Sequence, residues 1–367
     1  MNQRQKRYFA YEVTTTQKCD MACTYCFEGE ELQNKNPQLH TDDIIKSVHE
    51  MLNGEKFLEV FNGVTINFWG GEPTLNSKMI IRLINEFKDS PVDFFMYTNG
   101  FNVKNIEKII NNFKLFIDDT SRFSYQISYD GLNNDLERVD HKGEGTSSTV
   151  LSSVHYLMDK FPDIKLSIKS TLAIHEMPNL LENWLHFKEL IEKYPTFNYS
   201  PTLEYTNKYV IDEPFLKIVN EQFLKIAKLE IEYYKANGRF VWSWFGTGER
   251  NVCSAGTNIA NVDIDGNLLV CHGALYSENK EDFIIGHIDN PVEAVMTSHE
   301  RHKEIMLVPE HCKGCTATVC YQCPIVNHDT STKETYEEKY HDPKDDLCGI
   351  YKAFGKIDRT VQKHLGI

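Results

Sequence analysis

Short apolar stretches alternate with longer amphipathic ones through the first two-thirds of the chain. The short stretches are rich in aromatic and β-branched residues and stop at glycine or polar residues, which predicts β-strands. These strands are predicted at 8–15, 64–70, 93–100, 124–131, 165–173 and 197–203. Helical patterns lie between them, at 41–53, 76–88, 103–113, 146–160 and 176–193. Strand followed by helix about six times predicts parallel βαβ units, and hence an α/β fold built as a partial (β/α)6 TIM barrel.

The last third of the chain has a different pattern, in which short segments are punctuated by cysteine and glycine. Its predicted elements are a helix at 214–236, a hairpin at 261–271 that turns at Asp265-Gly266, and helices at 291–306 and from about Asp345. The predicted organisation is therefore a barrel at 1–213, a bridging helix and linker at 214–245, and a cysteine-rich domain at 246–367.

Composition narrows the class of protein. The chain has 367 residues, 41% of them hydrophobic and 25% charged, with a formal net charge of -14. The acidity argues against nucleic acid as a partner, because binding a phosphate backbone needs a positive field. There is no run of about 18 apolar residues, so no membrane helix is expected, and the N-terminus lacks the apolar core of a secretory signal. We therefore expect a cytoplasmic protein that acts on a small molecule or a peptide.

The ten cysteines form two groups, three at 19–26 and seven between 253 and 348. Disulfides would imply export, so the clustering favours metal ligation. Cys19, Cys23 and Cys26 follow the first predicted strand, at the end of the barrel where such folds carry their chemistry. Thiolates select zinc or iron–sulfur clusters. Zinc usually takes four protein ligands, whereas three cysteines in one loop suit a cubane with one open iron. A zinc or disulfide loop is the alternative.

The spacing CxxxCxxC after a first strand, with Tyr25 before the last cysteine, resembles the radical S-adenosylmethionine (radical SAM) superfamily. The resemblance implies that Cys19, Cys23 and Cys26 hold a [4Fe–4S] cluster. It also implies that the amino and carboxylate groups of SAM chelate the open iron, and that Tyr25 lies near the adenine.

The stretch "FWGGEP" at 68–73 is similar to the GGEP motif of this superfamily, which binds the SAM amino group. Gly70, Gly71, Glu72 and Pro73 are therefore expected at the cofactor. The two glycines allow the backbone to approach a ligand closely, and the glutamate accepts a charge-assisted hydrogen bond from an ammonium. Taken alone, the four residues would more often form a turn.

Two further strand ends, "YTNG" at 97–100 and "SYDG" at 128–131, resemble strand ends of the same superfamily. The resemblance implies cofactor contacts for Thr98 and Asn99. It also implies that Ser128 and Asp130 reach the SAM ribose or the substrate, and that Arg138 meets the SAM carboxylate. For these last three residues a helix cap or a surface salt bridge is an equal alternative.

The seven later cysteines resemble the SPASM extension of radical SAM enzymes. The run "CKGCTATVCYQC" has the pattern CxxCx4CxxC, and both inner spacings are one residue shorter than the family's. By resemblance, an outer auxiliary [4Fe–4S] cluster takes one set of four ligands, Cys312, Cys315, Cys320 and Cys348. An inner cluster takes the remaining three, Cys253, Cys271 and Cys323. Three [4Fe–4S] clusters and SAM are then the expected cofactors. A zinc ribbon over 312–323 is the alternative.

Other candidate residues carry weaker signals. His272 follows Cys271 and is a candidate acid or base near the inner cluster, with a structural histidine as the alternative. Glu204 and Tyr205 end the sixth predicted strand and would face the active site of a barrel. A cluster formed by Trp242, Trp244 and Phe245 either lines a substrate channel or belongs to the core.

The resemblance implies an enzyme that cleaves SAM reductively and modifies a peptide or protein side chain oxidatively. We expect a cross-link in a ribosomally made peptide, because SPASM enzymes act mostly on peptides and proteins. An electron donor of flavodoxin or ferredoxin type is then a partner. Only about seven residues precede the first strand, so either a separate protein recognises a leader peptide or the substrate binds without one.

Two other functions remain open. Sulfatase-maturing enzymes, which generate formylglycine, carry an aspartate base after the cysteine that corresponds to Cys271, where this chain has His272. The other alternative is a non-catalytic zinc or iron–sulfur module, which the GGEP motif disfavours.

Overall fold

The structure is a computed structural model, and it describes residues 7–26, 40–204, 211–247, 253–305, 312–320, 323–342 and 345–367. The strands are β1 Arg7–Thr16, β2 Phe61–Gly70, β3 Val92–Thr98, β4 Phe123–Ser128, β5 Lys165–Leu172, β6 Asn198–Leu203, β7 Ile259–Val262, β8 Asn267–Leu269 and β9 Ile284–His287. The helices of the first two-thirds are α1 Thr41–Asn53, α2 Glu55–Val60, α3 Ser77–Glu86, α4 Val103–Phe116, α5 Asn134–Glu137, α6 Ser147–Lys160 and α7 Leu180–Lys193. The later helices are α8 Glu213–Asn237, α9 Pro291–Ile305, α10 Pro324–Thr330, α11 Tyr336–Tyr340 and α12 Asp345–Leu365. None of these described helices is both long enough and apolar enough to cross a membrane.

The described strands form one sheet in the order β6-β5-β4-β3-β2-β1-β7-β8-β9. Strands β1 to β6 are parallel, stand in chain order and are separated by helices, so the predicted α/β fold with six βα units is confirmed. The next strand, β7, pairs in parallel with β1, and β8 and β9 follow antiparallel. The cysteine-rich part of the chain therefore continues the same sheet beyond β1.

The parallel strands have two different faces. Along β3, β4 and β5, every second residue is fully buried and the residues between are half-buried, apart from the exposed Lys165 at the start of β5. In β3, for example, Phe94 and Met96 are buried in the core, whereas Tyr97 reaches the barrel interior. This alternation follows from the two-residue period of a strand, and it leaves the interior face free to carry polar groups.

The predicted hairpin at 261–271 and the predicted helix at 176–193 show how glycine and proline determine where elements turn and begin. The predicted hairpin is present, because β7 and β8 are antiparallel and Gly266 stands between them with φ 89°, a conformation that glycine adopts without strain. The helix predicted at 176–193 begins only at Leu180, after a 3-10 turn at Ile174–Asn179. Pro178 lies in that turn, and since proline has no N–H to donate, it delays the start of the α-helix.

The C-terminal helix α12 completes the core against α8. Phe354 of α12 is fully buried, with ring centroids 5.3 Å from Phe223, 5.2 Å from Trp244 and 4.9 Å from Phe245. Trp242 packs on the same ring at 5.7 Å. Of the two alternatives for the aromatic cluster at 242–245, a channel lining or the core, the structure shows the core, because these rings are buried between two helices.

Phe354→Ala should lower the free energy of unfolding by about 3–5 kcal/mol, because it removes a buried ring and leaves a cavity. Leu224→Ala on α8 is the control, because Leu224 is exposed and its truncation should change the value by less than about 0.5 kcal/mol. Urea unfolding of both variants, with clusters reconstituted alike, measures the difference. Equal losses in the two variants would contradict the assigned packing.

Candidate active site

A cavity of about 500 Å³ opens where the parallel strands end. The predicted site residues that line it are Cys19, Cys23, Tyr25, Cys26, Gly70, Gly71, Glu72, Pro73, Thr98, Asn99, Ser128, Arg138 and His272. The fold therefore brings the cysteine loop, the GGEP motif and two further strand ends to one place. Residues at or just after the ends of β1, β2, β3 and β4 meet there, because the carboxyl ends of parallel strands share one edge of the sheet.

The cysteine loop points its sulfur atoms towards polar donors. The Cys19 sulfur accepts hydrogen bonds from the Met21 backbone N–H at 3.4 Å and from the Asn99 side-chain amide at 3.7 Å. The Cys23 sulfur accepts one from the Arg138 guanidinium at 3.9 Å. Burial raises the pKa of both thiols, and the Met21 N–H at Cys19 and the Arg138 guanidinium at Cys23 act against that rise. A metal held by these sulfur atoms would act in the same direction by stabilising the thiolates.

The Gly70-Gly71 pair lets β2 turn against the end of β1. A Cβ on Gly70 would lie 2.0 Å from the Thr16 carbonyl oxygen, and Gly70 has φ 131°. A Cβ on Gly71 would lie 2.6 Å from the carbonyl oxygens of Gln17 and Lys18. Only glycine fits both positions, so the pair fixes where the next residue, Glu72, enters the cavity.

The Glu72 carboxylate is fully buried and joins β2 to β3. It accepts hydrogen bonds from the Thr98 hydroxyl at 2.9 Å, the Asn99 backbone N–H at 2.7 Å and the Thr74 backbone N–H at 3.1 Å. Burial raises the pKa of Glu72 to about 7, although these three donors act in the opposite direction. The carboxylate is thus oriented towards the cavity and ready to bind a cation.

Asn99 links this carboxylate to the cysteine loop. Its side-chain amide donates to the Asp20 carboxylate at 2.7 Å as well as to the Cys19 sulfur. Its backbone N–H is held by Glu72 at the same time. One residue at the end of β3 therefore sets the distance between the thiols and the GGEP motif.

Asp130 has a different place from the one expected, because it is buried behind the cavity wall rather than lining it. One carboxylate oxygen accepts from the Tyr25 hydroxyl at 2.6 Å and the Arg138 guanidinium at 2.9 Å. The other accepts from the Thr171 backbone N–H at 2.7 Å. Arg138 also lies over the Tyr25 ring, 5.3 Å from its centroid. Asp130 therefore positions Tyr25 and Arg138, and both of its carboxylate oxygens are engaged in hydrogen bonds within the protein.

Glu204 does not line the cavity either. It is buried, and its backbone N–H donates to the Leu172 carbonyl at 3.0 Å, which holds the end of β6 to β5. Its charge contributes to raising the pKa of the buried Glu176, for which burial is the main cause. Tyr205 lies outside the described residues.

His272 lines the cavity beside a residue that sequence reasoning missed. Its Nδ1 is 2.9 Å from both carboxylate oxygens of Glu12, and its backbone N–H donates to the same carboxylate at 2.8 Å. Its ring stacks on Trp69 with centroids 3.9 Å apart. Glu12 is fully buried in β1. The signal for it was a single acidic residue among the mostly apolar residues 8–13 of β1.

Three of the later cysteines influence one another electrostatically. Burial raises the pKa of Cys253 to about 12 and that of Cys271 well above its usual range. The Cys323 charge adds to both shifts, and the Cys253 charge adds to that of Cys271. These are the three residues assigned by resemblance to the inner cluster. Cys315 and Cys320 instead pack against the core that includes α12, the helix that carries Cys348.

The chemical type of the ligands in both cysteine groups fits the expected iron–sulfur clusters. Both groups consist of soft sulfur ligands, which iron–sulfur clusters require, and the first three open onto a cavity that can admit a further ligand. Among the residues that the structure describes, no three His, Cys, Asp or Glu side chains form a group that could hold a single metal ion.

Comparison with known proteins agrees with this geometry. The family model described as the Radical SAM superfamily matches residues 13–193. An S-adenosylmethionine-dependent nucleotide dehydratase from Psychrobacter lutiphocae is 23% identical over 242 residues, 62% of this chain and 76% of that protein. A solved structure of anSMEcpe with bound AdoMet and Cp18Cys peptide has a TM-score of 0.66 at 17% identity, and the match covers 97% of this chain and 99% of that one. Streptococcus suis SuiB bound to precursor peptide SuiA has a TM-score of 0.57 at 14% identity, over 89% and 74%. At these identities the two structures show the fold.

Glu72→Gln should weaken SAM binding by roughly 1–3 kcal/mol, because a neutral amide replaces a charged acceptor. In the unmodified protein, SAM affinity should fall as the pH drops through about 7, since the protonated carboxyl cannot pair with an ammonium. At pH 6 the loss should be about tenfold, and the variant should lack this component. Glu176→Gln is the control, because Glu176 is buried outside the cavity lining. Equilibrium binding of SAM measures both effects, and an unchanged dissociation constant in Glu72→Gln would refute the role.

Proposed function

Residues 13–193 make the chain a member of the radical SAM superfamily, and from this premise we propose that it oxidatively modifies a peptide side chain. The specific proposal is a cross-link in a ribosomally made peptide. The observation that carries it is the cavity itself. Its lining includes Cys19, Cys23, Cys26 and Glu72, and it also includes His272, which directly follows Cys271.

The cysteine trio and SAM, when bound, supply reductive cleavage of the sulfonium to a 5′-deoxyadenosyl radical that abstracts an unactivated hydrogen. Glu72 accepts the SAM ammonium, because it is the carboxylate that the cavity lining presents. Arg138 binds the SAM carboxylate and Tyr25 lies at the adenine, and Asp130 holds both side chains in place. Ser128, at the end of β4, binds the ribose or the substrate.

The domain at 246–367 is proposed to be a SPASM domain with two auxiliary [4Fe–4S] clusters. The electrostatic coupling of Cys253, Cys271 and Cys323 supports one of them. The second takes Cys312, Cys315, Cys320 and Cys348. Bound there, the auxiliary clusters would supply an acceptor for the electron of the substrate radical, and an external donor of flavodoxin or ferredoxin type would supply the electron that starts each turnover.

His272 is proposed as the acid or base that handles the substrate proton. The Glu12 carboxylate accepts from Nδ1–H and so fixes the tautomer in which Nε2 is the proton acceptor. The stack on Trp69 holds the ring plane against the cavity. Glu204, the other candidate, does not line the cavity. Its backbone N–H instead holds the end of β6 to β5.

The peptide nature of the substrate is supported by two structures that share the fold over most of this chain. The anSMEcpe structure contains a Cp18Cys peptide, and the SuiB structure contains the precursor peptide SuiA.

The alternative function is formylglycine generation in a sulfatase. The histidine at position 272 disfavours it, since the enzymes of that class resembled by this chain use an aspartate there.

Replacing Cys19, Cys23 and Cys26 together by alanine should abolish 5′-deoxyadenosine formation and leave the other clusters in place. The reason is that this trio lines the same cavity as Glu72, so the cluster it holds is the one whose open iron is proposed to bind SAM. Anaerobic assay with dithionite and SAM, with iron counted in parallel, should show about eight of about twelve irons retained. Continued reductive cleavage by the triple variant would remove the central assignment.

Iron counting on double variants separates auxiliary clusters from a zinc ribbon. Cys253→Ala/Cys271→Ala should lose about four irons, whereas a ribbon made of Cys312, Cys315, Cys320 and Cys323 would keep all its metal. Deleting the chain from Asp342 is less informative, because it also removes the buried Phe354. Zinc measured beside iron completes the test. Full metal content in the double variant would exclude the inner cluster.

A further inference from the structure

The cavity has a polar wall formed by strands β4, β5 and β6. Its lining side chains are Gln126, Ser128, Lys169, Thr171 and Thr202. Ser128 pairs with Lys169, and Thr171 pairs with Thr202, in the register of the sheet. Four of the five are neutral amides or hydroxyls, and Lys169 is the cation among them.

Lys169 stands deep in this wall. It lies three residues before β5 ends at Leu172, which places its Cα roughly 10 Å below the rim at the usual rise of a strand. Burial lowers the pKa of Lys169 to about 8, because a low-dielectric site disfavours the charged ammonium. A bound anion would offset the free-energy cost of burying the charged ammonium. An ammonium has three N–H donors, so it can bind an anion while keeping a contact within the protein.

The charged groups nearer the cysteine loop already have proposed ligands. Glu72 would take the SAM ammonium, and Arg138, whose guanidinium is 3.9 Å from the Cys23 sulfur, would take the SAM carboxylate. Lys169 belongs to a different part of the lining. Strands β2 and β3 contribute aromatic rings to the lining, with the Tyr97 ring 4.6 Å from Trp69 and Trp69 stacked on His272. A substrate chain in the cavity would meet aromatic rings on β2 and β3 and an ammonium on β5.

We propose that Lys169 forms a subsite for a carboxylate of the substrate peptide, on an acidic side chain or at the C-terminus, and so selects which peptides enter the cavity. This inference rests on the proposed peptide substrate. Ser128 and Thr202, on the strands flanking β5, provide hydroxyl donors for the second carboxylate oxygen.

The test is anaerobic equilibrium binding of small probes to the cluster-loaded, SAM-bound protein. The probes are N-acetylaspartate N-methylamide for a side-chain carboxylate, N-acetylglycylglycine for a C-terminal one, N-acetylasparagine N-methylamide as the neutral match, and inorganic phosphate. The variants are Lys169→Met, which removes the charge, and Lys169→Arg, which retains it. Lys165→Met is the control, because Lys165 lies four residues earlier on the same strand and is exposed.

At least one carboxylate probe should bind the unmodified protein tenfold or more tighter than the neutral match. That preference should disappear in Lys169→Met and persist in Lys169→Arg and Lys165→Met. The dissociation constant of SAM should change less than threefold in every variant. The stronger of the two carboxylate probes identifies which source the subsite prefers.

Three results would overturn the proposal. One is equal binding of charged and neutral probes to the unmodified protein, which needs no variant to fold. Another is a tenfold loss of SAM affinity in Lys169→Met with the carboxylate preference intact, which would make the lysine a SAM ligand. The third is tenfold tighter binding of phosphate than of either carboxylate. None of these depends on radical formation, so failure here is distinct from failure of the cysteine assignment.

Discussion

The Asp130 carboxylate is the contact on which the rest of the site depends. It receives hydrogen bonds from Tyr25 in the cysteine loop, from Arg138 after α5 and from the backbone of Thr171 in β5. These partners come from three separate parts of the chain, so one buried group determines how the loop lies over the strand ends. Breaking a buried ion pair on one side leaves an uncompensated charge, which explains why Asp130 and Arg138 must be considered together.

A second constraint comes from the sheet continuing past β1. Because β7 pairs with β1, the segment after β8 returns to the barrel, and the His272 backbone reaches the Glu12 carboxylate 260 residues earlier. Cys271, which directly precedes His272, is thereby brought beside the cavity lining, and the helix that carries Cys348 packs on α8. The proposed auxiliary clusters and the proposed radical site are thus parts of one continuous scaffold.

Burial shifts the pKa of two charged groups that line the cavity. Glu72 has three hydrogen-bond donors, and its pKa still rises to about 7. Lys169 is shifted in the opposite direction by the same cause, burial. Groups so displaced from their ordinary pKa are stabilised when a ligand of opposite charge arrives, and such groups concentrate at functional sites.

The sequence by itself determined the local features. Strand and helix periodicity predicted the six βα units, and the spacing of the cysteines with the Gly70-Gly71-Glu72 motif predicted which residues meet. Such signals are local because they depend on side-chain period and on close backbone approach. Sequence could not determine that Asp130 and Glu204 lie outside the cavity lining. It also could not determine that the rings at 242–245 belong to the core, or that the Glu12 carboxylate binds His272. These outcomes depend on which distant segments pack together, and only the tertiary structure decided them.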